Sequence, residues 1–226
     1  MKQILPNLYT ITGLPVGRVY VIDDPDGLTL IDATIPGQAT RILDQTKPLG
    51  KPVKRILLTH AHPDHVGSLP ELKAATGAEL ITSAIERPVV EGKIPIPRVP
   101  PEKLGLIKFR PPNTVLKPTP VDRELSGGET LAILGGLQAL LTPGHAPGHL
   151  AFWQPEQRLL FCGDVIFNMF GLGLPFAFLT VDMDEDKRSI RKLVDLNPTV
   201  VCFGHGEPVM ENAAERLRAF AQKVGA

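Results

Sequence analysis

The sequence predicts an α/β protein whose strands and helices pack in layers. Two observations carry this. The first third alternates short apolar strands with helical segments, and the later part carries two hairpins followed by helix, strand and helix. A third observation, that no apolar run approaches about 18 residues, removes a membrane-spanning alternative; the most apolar stretch, 165–179, is broken by Asn168, glycines and a proline.

The elements follow in chain order. Residues 8–12 and 18–23 read as strands, and the turn cluster Asp23-Asp24-Pro25-Asp26-Gly27 returns the chain into a strand over 28–32. A helix is expected over 36–47, with Thr34 as its N-cap and Pro36 in its first turn. Residues 53–59 form a strand that runs into a histidine-rich turn. Residues 67–76 are helical and stop at Gly77, which suits a left-handed helix end; a strand over 78–82 follows. Later, 130–133 and 137–142 flank the turn Leu134-Gly135-Gly136, and 149–154 and 158–162 flank Pro155-Glu156-Gln157. A helix over 184–196, a strand over 199–203 and a helix over 211–224 complete the chain.

The segment 87–120 interrupts this order. It is Pro-rich and lacks strand or helix periodicity. Arg87, Lys93, Arg98, Lys103, Lys108, Arg110 and Lys117 stand against only Glu91 and Glu102, a local charge of +5. The whole chain balances 24 basic against 24 acidic residues, so the remainder carries about −5. A segment of this kind is either a stiffened, solvated insertion or a wall beside a site that favours anionic substrates.

Composition narrows the functional classes. With 226 residues, 43% of them hydrophobic, the chain can bury a substantial core. Its charge balance exerts no general pull toward nucleic acid or an anionic membrane. Cys162 and Cys202 are too few for a disulfide framework. Residues 1–10 lack the apolar core of a signal peptide, so a cytoplasmic protein is expected.

The chemistry concentrates in Thr59-His60-Ala61-His62-Pro63-Asp64-His65-Val66-Gly67. Imidazole and carboxylate are ligands that zinc prefers and that iron and manganese accept. His60 and His62 are two apart and face the same way on an extended segment. Pro63 then turns the chain, so Asp64 and His65 address a neighbouring position. Burying such a set is costly unless a metal compensates. Further ligands must come from elsewhere, and three segments offer them: His145 and His149 in a Gly/Pro turn, Asp164 after a strand, and His205 between Gly204 and Gly206. All six histidines of the chain fall in these segments. Taken singly, His205 reads as a packed histidine, Asp164 as a turn cap, and the cysteines as small buried residues.

These motifs, in this order, resemble the metallo-β-lactamase-fold superfamily, in its glyoxalase II-like and lactonase-like branch. The resemblance runs from about Leu5 to Glu207 and rests on Asp32, the His60/His62/Asp64/His65 motif, His145, Asp164 and His205. It implies a four-layer αββα sandwich, with residues 1–226 forming one domain and 87–120 inserted in it. It also implies two divalent metal ions, zinc first, with iron or manganese also accepted. His60, His62 and His145 would hold one, and Asp64, His65 and His205 the other, with Asp164 bridging. Asp32 and His149 would support these ligands from behind.

The activity implied is a hydrolase in which a metal-bridging hydroxide attacks a small-molecule ester, thioester or lactone, with Asp64 orienting the nucleophile and taking its proton. Phe167 stands where lactonases often carry tyrosine, three residues after the bridging aspartate. Phe167, Met169, Phe170, Phe176 and Phe178 would form an apolar acyl pocket, or else a core loop or homodimer patch. The alternatives are a phosphodiesterase or nuclease of the same fold, a mononuclear iron persulfide dioxygenase, and a binding module without catalysis. A small-molecule substrate is expected, with no membrane and no nucleic-acid partner.

Overall fold

Side chains alternate along the strands between two cores, and that alternation stacks the chain in four layers. The computed structural model describes residues 1–105, 109 and 111–226; Lys108 and Arg110 of the basic segment lie outside the described residues.

Among the described residues, the first sheet runs in spatial order β1 (Lys2–Leu5), β2 (Leu8–Thr10), β3 (Tyr20–Asp24), β4 (Gly27–Ile31), β5 (Val53–Leu57), β6 (Glu79–Ser83) and β7 (Arg123–Leu125). It is antiparallel from β1 to β4 and parallel from β4 to β7. The second sheet has the order β12 (Val200–Phe203), β11 (Leu159–Gly163), β10 (Leu150–Gln154), β9 (Leu137–Leu141) and β8 (Thr130–Leu131). Only β11 and β12 pair in parallel there.

Helices α1 (Ala39–Thr46), α2 (Pro63–Val66), α3 (Leu69–Thr76) and α4 (Arg87–Val90) belong to the first half of the chain, and α5 (Met183–Asp195) and α6 (Ala213–Val224) to the second. In β5 and β6, Ile56 and Leu80 pack with Ile42, Leu69, Leu72 and Val89 of the first helix layer. Their neighbours Leu57 and Ile81 face the other way and meet Leu137, Phe152 and Phe161 of the second sheet. On that sheet's far side Trp153, Leu160 and Phe203 pack with Ile190, Leu193, Leu217 and Phe220 of α5 and α6. Three apolar cores therefore separate four layers, in the order helix, sheet, sheet, helix. No helix among the described residues is long and apolar enough to cross a membrane.

Several local expectations need correction. The first helix begins at Ala39 rather than 36, and Thr34 is not its cap. Thr34 has φ +47° and donates its hydroxyl to the Val16 carbonyl at 2.5 Å. The 32–36 stretch is held instead by the turn at 65–68, through Ala33 N–H to the His65 carbonyl at 2.7 Å and Gly67 N–H to the Thr34 carbonyl at 2.6 Å. The 28–32 strand stops at Ile31, because Asp32 adopts φ +64° and swings its carboxylate toward Thr59. The helix read as 67–76 is α3, which begins at Leu69 after the separate short helix α2, and Gly77 closes α3 in the left-handed region as expected. Strand β1 has no counterpart in the sequence reading. The 87–120 segment is not wholly irregular: it opens with α4 and includes a 3-10 turn at Pro101–Lys103.

Candidate metal centre

The chain delivers its polar groups where strands end. Asp32 follows β4, His60 and His62 follow β5, and Asp64 and His65 sit in α2. His145 lies in the β9–β10 turn, Asp164 just after β11, and His205 just after β12. All seven expected ligands meet at this one edge between the sheets. Their donor atoms form three trios, each within 4.8 Å: His60/His62/His145, His60/His65/Asp164 and Asp64/His65/His205. One oxygen, Asp164 Oδ2, lies among them, 3.9 Å from His60 Nε2, 3.4 Å from the Nε2 atoms of His65 and His145, and 3.2 Å from that of His205. Asp64 Oδ2 is 3.2 Å from His205 Nε2.

Hydrogen bonds behind the cluster choose which nitrogen each ring offers. Asp32 Oδ2 accepts from His65 Nδ1 at 2.8 Å, leaving Nε2 toward the cluster. The Thr59 hydroxyl donates to Asp32 and so accepts from His60 Nδ1 at 3.1 Å, which turns His60 Nε2 inward as a lone pair. The Thr180 hydroxyl donates to the Phe176 carbonyl and accepts from His145 Nδ1 at 3.2 Å. His149 Nε2 accepts the Asp164 backbone N–H at 3.0 Å, and its Nδ1 donates to Thr142 Oγ1 at 2.8 Å. His149 therefore has no nitrogen to spare and holds Asp164 from behind.

These residues fit a metal. His60 Nε2 and Asp164 Oδ1 are buried with no hydrogen-bond partner. His145 Nε2, left as a lone pair by the Thr180 bond, stands 2.9 Å from His62 Nδ1, so the two rings face each other with nitrogens. Burial and the neighbouring imidazoles hold His60 and His145 far below the usual histidine range, and burial lowers His62 to about 4, so these three rings stay neutral and ready to ligate. The other trio draws positive charge. Burial opposes it, yet the hydrogen bonds to Asp164 and Asp64 raise His205 to about 9. Burial likewise works to raise Asp64, but its bond with His205 and the nearby His65 hold it at about 2.

The expected acyl pocket does not form as one unit. Phe167 is buried, with its ring centroid 4.6 Å from that of His205. Phe176 packs on Phe167 and stacks on Phe178 at 5.5 Å. Met169 and the fully exposed Phe170 line a cavity of about 420 Å³ with Val16, Arg18, His205 and Glu207. Phe178 lines a separate cavity of about 220 Å³ with His62, Asp64, Ile96, Arg98 and Val99. Of the five residues, Met169 and Phe170 line one cavity and Phe178 the other, and both cavities reach ligand residues.

Two contributors, Glu86 and Thr180, escaped the sequence reading, and a third, Gly204, reads there only as a glycine flanking His205. Glu86, 1% exposed, accepts the Ala61 N–H at 3.0 Å and the Gly148 N–H at 2.8 Å, tying the first ligand loop to the β9–β10 turn. Burial pushes its carboxyl upward against those two bonds. Thr180 fixes the His145 tautomer as described. Gly204 leaves no room for a side chain, since a Cβ there would overlap the Asp164 carboxylate and press on His65. Only Gly204, beside His205, carried a sequence signal.

Fold and donors together define a class: an αββα protein with a His/Asp metal-ligating centre at one edge of its paired sheets. The chain belongs to the metallo-beta-lactamase superfamily, whose family model matches residues 12–205. It is 34% identical over 218 residues to the uncharacterized protein YobT of Bacillus subtilis (strain 168), covering 91% of this chain and 89% of that protein. It is 33% identical over 201 residues to the hydroxyacylglutathione hydrolase GloC of Haemophilus influenzae, covering 88% and 89%. The solved structure of TTHA1623 in a di-iron-bound form aligns with a TM-score of 0.67 at 29% identity, over 89% of this chain and 93% of that one.

Proposed function

We propose that the chain is a hydrolase of small-molecule esters, thioesters or lactones that works with two divalent metal ions, with zinc favoured and iron or manganese also suited to its donors. The observation that carries this reading is the placement of Asp164 Oδ2 within 3.4 Å of the Nε2 atoms of His65, His145 and His205, so that one carboxylate joins both histidine groups. His60, His62 and His145 would hold one ion, Asp64, His65 and His205 the other, with Asp164 shared. Bound there, such ions supply a nucleophilic water at neutral pH and an electrophile for the substrate oxygen. The name of GloC supports a thioester as the bond, and the di-iron form of TTHA1623 supports a paired site.

The chain's own residues perform the remaining work. Asp64 is the carboxylate of the set that opens to a cavity, with its side chain 30% exposed against 3% for Asp164. It orients the attacking water and takes its proton. Water adds across the acyl bond, giving a carboxylate and a thiol or alcohol. Asp32, Thr59 and Thr180 keep the imidazoles in the ligating tautomer. Phe167 covers His205 and keeps bulk water from that side. A small molecule is favoured over nucleic acid because Arg87, Lys93 and Lys103 of the basic segment are already paired with carboxylates.

The test combines elemental analysis of the purified protein with a panel of thioesters, lactones and phosphodiesters, and with oxygen uptake on glutathione persulfide. Two metal equivalents and acyl hydrolysis are expected, and both are lost in Asp164→Ala. Survival of metal content and hydrolysis in that variant overturns the shared-carboxylate reading. Phosphodiester cleavage or oxygen uptake alone replaces it with another activity.

A further inference from the structure

The two cavities beside the ligands differ in charge. The larger one contains Arg18, but Arg18 is ion-paired with Glu207 of the same cavity. The smaller one is walled by the 87–120 segment, through Ile96, Arg98 and Val99, together with Phe178 and the ligands His62 and Asp64. Arg98 is half-buried there. Among the described residues no carboxylate lies within ion-pair distance of it, and its one hydrogen bond is a long 3.4 Å contact from Nη1 to the Pro111 carbonyl. The segment's other described cations differ: Arg87, Lys93 and Lys103 are paired, and Lys117 lines a different cavity. Asp64, the other charged group of the pocket, is committed to His205 at 3.2 Å.

We propose that Arg98 is a specificity residue that receives the anionic end of an apolar arm of the substrate. The inference rests on the hydrolase reading above and narrows its substrate class to acyl compounds carrying a carboxylate. A half-buried guanidinium without a partner is a ready fork for a planar carboxylate. Ile96, Val99, Phe178 and the surrounding prolines receive the methylenes between that carboxylate and the reacting carbonyl. The cavity of about 220 Å³ holds roughly seven water-sized groups, enough for an arm of about six heavy atoms. The anion can belong either to the acyl group or to the leaving thiol, and the geometry beside His62 and Asp64 serves both.

The experiment compares three thioesters on the metal-loaded protein: hexanoyl N-acetylcysteamine, which is neutral; adipoyl N-acetylcysteamine, with the anion on the acyl arm; and the hexanoyl thioester of 3-mercaptopropionate, with the anion on the thiol arm. Wild type is expected to favour one anionic substrate by about tenfold or more in kcat/KM, expressed in KM, and the favoured one identifies the arm. Arg98→Met brings that ratio close to one while leaving kcat on the neutral thioester unchanged, and Arg98→Glu inverts it. A second readout needs no turnover. The two non-hydrolysable thioethers with a terminal carboxylate, one for each arm, are titrated by calorimetry into metal-depleted and metal-loaded protein. One of them binds wild type in both states and loses about tenfold or more in Arg98→Met. A preference that survives Arg98→Met, or no preference and no carboxylate-dependent binding in wild type, overturns the inference. If none of the thioesters is hydrolysed while a thioether still binds through Arg98, the hydrolase reading fails and the anion site stands.

Discussion

The ligand-bearing edge and the 87–120 segment border the same cavity, yet they are built on opposite terms. At the edge, His60, His65, His149 and Asp164 are 0–2% exposed, and most of their polar atoms have a fixed partner. In the segment, Phe109, Val115 and Ile94 are 60%, 57% and 44% exposed, and much of the charge is carried in surface ion pairs. The first region spends stability to concentrate charge; the second only covers it. Substitutions at the edge should therefore damage metal binding and folding together, whereas substitutions in the segment should alter selectivity and leave the fold alone.

The largest effect is expected at Gly204. A Cβ there has nowhere to go but into Asp164 and His65, both packed and buried. Gly204→Ala should abolish metal uptake, read by elemental analysis, and lower the melting temperature. Normal metal content in a folded Gly204→Ala protein would mean that the edge is more pliable than its packing implies.

Asp186 comes next. It is fully buried in the first turn of α5, neither of its oxygens has a hydrogen-bond partner, and the His145 N–H approaches without completing one. Burial, with a contribution from the Asp164 charge, raises its carboxyl to about 8. The folded protein thus keeps a proton there that the unfolded chain releases above the ordinary aspartate range. The favourable contribution is complete at pH below about 4 and is lost progressively as pH rises toward about 8, at about 1.4 kcal/mol per unit. Asp186→Asn, which stays neutral, should match wild type near pH 4 and exceed it in melting temperature near pH 8. A constant difference across that range would show that Asp186 is ionised in the native state.

Legibility in the sequence follows the same division. Imidazoles and carboxylates crowded at strand ends are chemically unusual, so His60, His62, Asp64, His65, His145, Asp164 and His205 could be named before any fold was known. The helix-and-strand order was readable from periodicity, and the four-layer stacking from the resemblance. The supporting groups were not readable, because their roles exist only across long separations. Glu86 is 25 residues from Ala61 and 62 from Gly148, and nothing around it distinguishes it from a surface glutamate. Thr34 looked like a cap because a cap is a local pattern, whereas the contacts that displaced it come from residues 65–68. Strand β1 is a four-residue edge strand with two exposed positions, too short to show alternation. The phenylalanines of 165–179 were readable as apolar, but composition cannot say on which side of the ligands each one falls.

Glu86 provides the intermediate test. Glu86→Gln keeps the shape but replaces one acceptor with a donor facing a backbone N–H, so one of the two ligand turns loses its tether. Metal affinity, measured by competition with a chelator, should fall about 10–100-fold, as it does when outer partners of ligands are altered. The fold should persist, since the hydrophobic cores are untouched. Unchanged affinity would place the rigidity of the turns in the strands and not in this carboxylate.

The smallest effect belongs to the segment's tether. Lys103 Nζ reaches Asp182 Oδ2 at 2.5 Å, with both side chains more than a third exposed. Asp182 also caps α5 through its other oxygen, accepting from Asp184 N–H and Glu185 N–H at 3.1 and 3.0 Å. Lys103→Met removes the ion pair and keeps the cap. An exposed pair of this kind is worth about 0.2–1 kcal/mol and is screened by salt. Chemical denaturation should show a loss within that range at low ionic strength and almost none at 1 M salt, with metal content unaltered. A loss of several kcal/mol, or any loss of metal, would mean that the segment is part of the structural frame of the ligand edge. The contrast between a rigid cradle and a replaceable wall would then not hold.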